Sequence, residues 1–135
     1  FKCKLDFMTK DRIVDLKTVK DFEPQYKEGQ GRVDFATAWN WPLQMAIYQE
    51  IVRQNIGEKL PTFLACITKQ EPPDLAVIEV NQEVLDAELA VLKAKLPMLE
   101  AMRLGAVEAP RCNHCAYCRQ SRTINRPMSL SEFNN

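Results

Sequence analysis

The chain opens with Phe1-Lys2-Cys3-Lys4-Leu5-Asp6-Phe7-Met8 and, after the polar break Thr9 to Asp11, continues with Arg12-Ile13-Val14-Asp15-Leu16-Lys17-Thr18-Val19. In the first run Phe1, Cys3, Leu5 and Phe7 alternate with Lys2, Lys4, Asp6 and Met8, the period of two that marks a half-buried strand. In the second, Val14 and Leu16 take one face and Ile13, Asp15, Lys17 and Val19 take the other. Two alternating runs with so short a break between them predict a β-hairpin. A two-residue loop at Lys10-Asp11 and a four-residue loop from Thr9 to Arg12 give the same register, Leu5 opposite Leu16 and Asp6 opposite Asp15, which an odd loop would spoil. Leu5, Phe7, Val14 and Leu16 then share a face, and Lys4, Asp6, Asp15 and Lys17 share the opposite one. Carboxylates directly across a strand pair repel by about 0.2–1 kcal/mol unless a cation or a shared proton relieves them. A divalent metal would relieve them. A solvated outer face, with the lysines screening the aspartates, is the simpler alternative.

Outward from the hairpin, Asp21 to Asn40 has little periodicity and reads as an irregular connection with a short helix near Phe35 to Trp39; connections this long are often functional. Asn40 is placed to cap a helix whose second residue is Pro42, with Leu43, Ile47 and Ile51 expected on its core stripe. Gln44 and Tyr48 are neighbours on that helix, so an amide and a phenol point the same way, either towards polar ligands at a sheet edge or as an incidental polar pair. Thr62 to Thr68 and Leu75 to Val80 are expected strands, separated by Gln70-Glu71-Pro72-Pro73-Asp74. A long helix follows from Asn81, with Leu85, Leu89, Leu92, Leu96 and Leu99 as its core stripe, a kink at Pro97 and an end at Gly105.

Composition sets the outer limits. With 135 residues, 46% of them hydrophobic and 27% charged, the chain can bury a core as a single domain, with a cysteine-containing, arginine-rich tail from 106 to 135. Eighteen Lys+Arg balance 18 Asp+Glu, so no bulk charge announces a nucleic-acid or membrane partner. The longest apolar stretch, Phe63 to Ile67, is far short of the roughly 20 residues that cross a bilayer, and no signal pattern opens the chain, so a soluble intracellular protein is expected. Because Phe1 already lies inside a strand pattern, the chain is expected to be the C-terminal part of a longer polypeptide.

Three motifs now stand in order: Lys4-Leu5-Asp6-Phe7, then Ile13-Val14-Asp15-Leu16-Lys17-Thr18, then Gln44-Met45-Ala46-Ile47-Tyr48. Together they resemble the PD-(D/E)xK nuclease superfamily, in the branch of RecB-like and phage recombination exonucleases of the exonuclease VIII (RecE) type. Leu5 stands where the motif usually has proline, and this branch usually carries an acidic or histidine residue upstream of the first motif. The resemblance implies an α/β, restriction-endonuclease-like core, a mixed β-sheet flanked by helices. It implies Asp6 and Asp15 as ligands of Mg²⁺ or Mn²⁺, with the backbone carbonyl of Leu16 as a third. Lys17 would orient and deprotonate the attacking water or stabilise phosphorane charge, while Gln44 and Tyr48 would serve substrate binding. The implied activity is exonucleolytic hydrolysis of linear duplex DNA in phage or prophage recombination or repair, within the cytoplasm of a bacterial or phage-infected cell. Implied partners are DNA, a single-strand annealing protein and further copies of the chain, although no motif here specifies a ring.

Two C-x2-C spacings, Cys112, Cys115 and Cys118, suit thiolates around one inorganic centre and are one ligand short of a closed site. By resemblance to RecB-like nucleases this would be a 4Fe-4S cluster that staples the two ends of the domain, its missing ligand coming from an upstream segment; zinc, with His114 as a candidate ligand, and metal-free cysteines are the alternatives. Cys3 and Cys66 are expected to be buried core thiols. Arg111, Arg119, Arg122 and Arg126 fall in a stretch without acidic residues, so Arg119 and Arg122 are candidate phosphate contacts, and Tyr117 could stack on a base. The alternative function is a cysteine-cluster nucleic-acid-binding module without nuclease activity. A catalytically silent DNA-binding domain on the same fold is a third.

Overall fold

The computed structural model describes residues 1–27, 29–113 and 115–133. In chain order the elements are β1 (Phe7–Met8), β2 (Ile13–Val19), β3 (Gln25–Lys27), β4 (Gly31–Val33), α1 (Phe35–Ala38), α2 (Trp41–Ile56), β5 (Thr62–Thr68), β6 (Leu75–Val80), α3 (Gln82–Arg103), α4 (Ala116–Gln120) and α5 (Leu130–Phe133). Contacts group them into two units, Phe1–Leu96 and Pro97–Asn135, with the division inside α3. No helix among the described residues is long and apolar enough to cross a membrane.

The first unit is built on a four-stranded sheet in the order β1-β2-β5-β6. The hairpin register is the one the alternation requires: Phe7 pairs with Val14, Met8 with Ile13, and the Thr9 N–H donates to the Arg12 carbonyl across the turn. β2 and β5 run parallel from Ile13–Thr62 to Val19–Thr68, and β6 returns antiparallel to β5, so the sheet is mixed. A parallel pair needs a crossover, which here carries the β3–β4 hairpin, α1 and α2. That three-residue hairpin was not expected from the sequence; its strands are too short to show a period.

Strand pairing fixes which residues share a face. Ile13, Asp15, Lys17 and Val19 lie beside Thr62, Leu64, Cys66 and Thr68 on the inner face, and Ile13, Val19, Leu64, Cys66 and Val80 belong to the core. Against them α2 presents Pro42, Met45, Ala46, Gln49 and Val52. Here the structure corrects the sequence on two points. Asp15 is 2% exposed, so its face is not a solvated one, while Leu16, Leu75 and Val77 on the opposite face are 64%, 71% and 74% exposed. The buried stripe of α2 is also rotated from the expected Leu43, Ile47 and Ile51, because Gln49 occupies its centre. The Gln49 amide is satisfied there, its Nε2 donating to the Leu60 carbonyl and to Gln82 Oε1, both at 2.9 Å.

Several smaller expectations also change. Asn40 stands at the N-terminus of α2 in a left-handed conformation (φ 57°) and makes no capping bond; its Oδ1 accepts from Lys27 Nζ instead. Gly57 ends α2 at φ 86°, a conformation that costs a glycine little, with its N–H on the Arg53 carbonyl. Of the α3 leucines only Leu85 is buried; Leu89, Leu92 and Leu96 line a groove with Ile47 and Ile51, and Leu99 is exposed. The first strand is two residues long, so Cys3 lies before it, half-buried and outside the core.

Two consequences are measurable. Leu64→Ala removes a fully buried side chain and should cost about 2–5 kcal/mol in denaturant unfolding, whereas Leu75→Ala on the outer face should change stability by less than about 0.5 kcal/mol. Glu50 accepts from Arg53 and Gln54, which hold its carboxyl down at about 2. Its folded-state value is lowered, so its contribution is complete above the unfolded carboxylate range near about 4.3 and is lost as pH falls towards 2. Glu50→Gln should therefore lower Tm at neutral pH, and the difference from wild type should close between about pH 4 and pH 2.

Candidate active site

Asp15 and Lys17 are two residues apart on a strand and therefore project to the same face. On β2 that face is the interior, which places a carboxylate and an ammonium among core side chains. They meet there: Lys17 Nζ stands 2.6 Å from Asp15 Oδ2, with the two side chains 14% and 3% exposed. Burial of either charge alone would cost several kcal/mol, so the pair is viable only with further polar partners. α2 supplies them. Lys17 Nζ donates to Gln44 Oε1 at 2.8 Å and sits 4.9 Å from the centre of the Trp41 ring. Gln44 Nε2 donates to Tyr48 Oη at 2.8 Å and lies 3.5 Å from Asp15 Oδ1.

Trp41, Gln44 and Tyr48 recur at three and four residues along α2 and so face the sheet edge together. The sequence showed the amide–phenol pair; Trp41 was missed, although its spacing from Gln44 would have found it. Tyr48 orients the Gln44 amide so that its oxygen, rather than its nitrogen, meets the lysine. Asp15 Oδ2 receives the Lys17 ion pair but no aligned hydrogen bond, one of two buried side-chain polar atoms in that condition among the described residues.

Asp6 approaches from the other strand. It lies just before β1, and where the strand ladder stops its Oδ2 accepts from the Leu16 N–H at 2.9 Å. The N–H and C=O of one strand residue point to the same edge, so the Leu16 carbonyl faces the edge that Asp6 occupies. Asp6 is exposed and Asp15 buried; they bracket the start of the Leu16 peptide, and they take different partners rather than sharing one. Asp6, Asp15 and the Leu16 carbonyl are hard oxygen donors, the donor set that suits a divalent cation such as Mg²⁺ or Mn²⁺. The apolar hollow over Leu16, Ala65, Ile67, Leu75 and Val77 is on the other face of the sheet and holds none of these carboxylates.

Cys66, beside Lys17 in the sheet, is buried, and burial pushes its thiol up from its ordinary value. It is the core thiol that the sequence suggested; Cys3 is not.

In the second unit the sulfurs of Cys112, Cys115 and Cys118 lie within 4.8 Å of one another. Arg119 and Arg122 line a cavity with Cys112, Asn113 and Arg126, and Arg122 Nη2 donates to the Asn113 carbonyl at 2.6 Å. The Arg111 guanidinium lies 5.9 Å from the centre of the exposed Tyr117 ring. His114 lies outside the described residues.

Comparison with known proteins bears on the family and the fold. Residues 1–121 match the family described as "PDDEXK-like domain of unknown function (DUF3799)". Among solved structures the chain is similar to a protein from Eubacterium rectale named "Putative exonuclease", at 37% identity and a TM-score of 0.84 over 94% of this chain. That match takes in 48% of the other protein, so the chain spans about half of its length. No curated protein matches the chain. The mixed sheet, the helix packed on its inner face and the match over 121 residues agree, and the chain belongs to the PDDEXK-like domain family, within the PD-(D/E)xK nuclease superfamily.

Proposed function

We propose that the protein is a metal-dependent deoxyribonuclease that acts as an exonuclease on linear double-stranded DNA. The observation that carries this reading is the Asp15–Lys17 pair buried on a central strand and held by Gln44. A sheet interior tolerates such a charge pair only at a cost, and a local cost of this kind is what functional sites commonly carry. Exonuclease rather than endonuclease action rests on the name of the Eubacterium rectale protein and on the resemblance of the motifs.

Asp6, Asp15 and the Leu16 carbonyl would hold Mg²⁺ or Mn²⁺. When bound, the cation supplies Lewis acidity at a phosphoryl oxygen and a lowered pKa for water. The chain's own groups do the rest. Lys17 orients the attacking water and takes up its proton or neutralises charge on the phosphoryl oxygens. Gln44, set by Tyr48, positions the ammonium and contacts the scissile region. In the second unit Arg119 and Arg122 contact phosphates, which gives affinity without base specificity. The biological setting that fits is phage or prophage recombination in the bacterial cytoplasm, passing single strands to an annealing protein and working as a homo-oligomer. The convergence of three sulfurs beside an arginine-lined cavity favours a second reading, a cysteine-cluster nucleic-acid-binding module without turnover.

Digestion of end-labelled linear duplex and of closed-circular DNA by the full-length polypeptide separates these. Linear DNA should be consumed with Mg²⁺ or Mn²⁺ and the circle spared, while Asp15→Ala and Lys17→Ala should each lower the rate by at least about 100-fold. Equal cutting by the Asp15→Ala protein would remove the hairpin from the mechanism. Binding without any cutting by wild type would favour the second reading. Arg119→Ala and Arg122→Ala should weaken binding to all sequences alike and reduce the slope of log K against log salt by about one unit each.

A further inference from the structure

We propose that Cys112, Cys115 and Cys118 bind a single zinc ion through their three thiolates, and that this ion is what holds the second unit together. The first support is the absence of a core. Among the described residues of Pro97–Asn135 the only buried side chain is that of Cys118, 4% exposed, while Leu104, Val107, Ile124, Met128 and Leu130 face solvent. A segment this short that buries so little apolar surface of its own gains from a staple, either a disulfide or a metal.

Sulfur geometry favours the metal. Cys112 Sγ and Cys118 Sγ are 3.8 Å apart, too far for a disulfide, whose sulfurs lie about 2.05 Å apart. A tetrahedral centre with zinc–sulfur bonds of about 2.3 Å spaces its sulfurs about 3.8 Å apart, the separation of this pair. All three sulfurs fall within 4.8 Å of one another, close to the roughly 4.6 Å that two such bonds can span, so a small closing movement brings all three onto one ion. In a four-iron cubane each thiolate caps a different iron and points outwards, which spreads the sulfurs well beyond a tetrahedral edge. The geometry therefore selects one ion over the cluster implied by resemblance.

The backbone is arranged for thiolates. The Cys115 N–H donates to Cys112 Sγ at 3.3 Å and the Cys118 N–H to Cys115 Sγ at 3.4 Å, so two amide dipoles point at sulfur. Asn113, at φ 64°, makes the turn that brings Cys112 and Cys115 together, and Cys115 starts α4, which carries Cys118 back to the pair. Among the described residues no fourth cysteine or carboxylate joins the trio, so the assignment rests on the three thiolates. Zinc matches this donor set and is redox-inert, as a structural ion should be. The proposal is independent of the nuclease reading, since metal content is read whether or not DNA is cut.

The test is the metal content of the full-length protein purified anaerobically from cells replete in both zinc and iron. One zinc per chain is expected, with no inorganic sulfide, no brown colour, and zinc-edge X-ray absorption giving at least three sulfur neighbours. Cys112→Ser and Cys118→Ser should each lose most of the zinc, whereas Cys3→Ser should keep it. Chelation should expose 106–135 to protease while the rest of the chain resists. Stoichiometric iron with inorganic sulfide, or a metal-free protein whose thiols all titrate, would overturn the assignment.

Discussion

A charge pair placed where a sheet would ordinarily bury aliphatic side chains is the constraint around which the first unit is arranged. Asp15 and Lys17 point into the interior from β2, and each neighbouring element answers them: α2 brings Gln44, Tyr48 and Trp41 to the ammonium, and β5 brings Leu64 and Cys66 alongside. Without the pair the same face could be Ile, Val and Leu throughout, and the fold would gain rather than lose stability by the exchange. Its place on a central strand is a local cost of the kind the proposed chemistry would require. The opposite face of the sheet inverts the usual logic, with Leu16, Leu75 and Val77 exposed while charges are covered.

That inversion explains what could be read from the residues and what could not. The hairpin register followed from parity alone, because only an even loop keeps both alternations in phase. The strands Thr62–Thr68 and Leu75–Val80 were visible because apolar runs end abruptly at Pro61 and at the Pro72-Pro73 break. Which face turned inwards was not visible, since an alternating pattern with Asp15 and Lys17 on one side looks like a wet face. The groups that make it dry, Gln44 and Tyr48, come from a helix 27 and more residues later. The core stripe of α2 was misplaced for a related reason: Gln49 sits at its centre, and its polarity is cancelled by Leu60 and Gln82, distant partners with no local signal. Gln44 and Tyr48 could be paired from spacing, yet nothing local to them shows that the Gln44 amide meets Lys17 and Asp15.

The two units are held by different physics. Phe1–Leu96 has an aliphatic core between sheet and helix, whereas Pro97–Asn135 has three converging sulfurs and polar bonds such as Arg122 to the Asn113 carbonyl and Arg126 to Glu132. The division falls within α3, where the leucine stripe continues in sequence but loses its cover after Leu96. A regular heptad-like pattern is therefore no guide to burial beyond that point.

The parallel pairing of β2 with β5 has a consequence for how the molecule is made. Hairpin pairing of β1 with β2 needs only a short loop, but the β2–β5 ladder from Ile13–Thr62 to Val19–Thr68 closes a chain segment that includes a hairpin and two helices. Closure of such a loop loses entropy before its contacts return any, which makes pairing of this type slow. Asp15 and Lys17 stay solvated on a half-formed edge until that step, and Gln44 reaches them only when the crossover docks. The surroundings of Asp15 and Lys17 are thus complete only when the whole crossover is in place, and a chain that lacks the β2–β5 ladder carries the two residues without the amide and phenol that flank them.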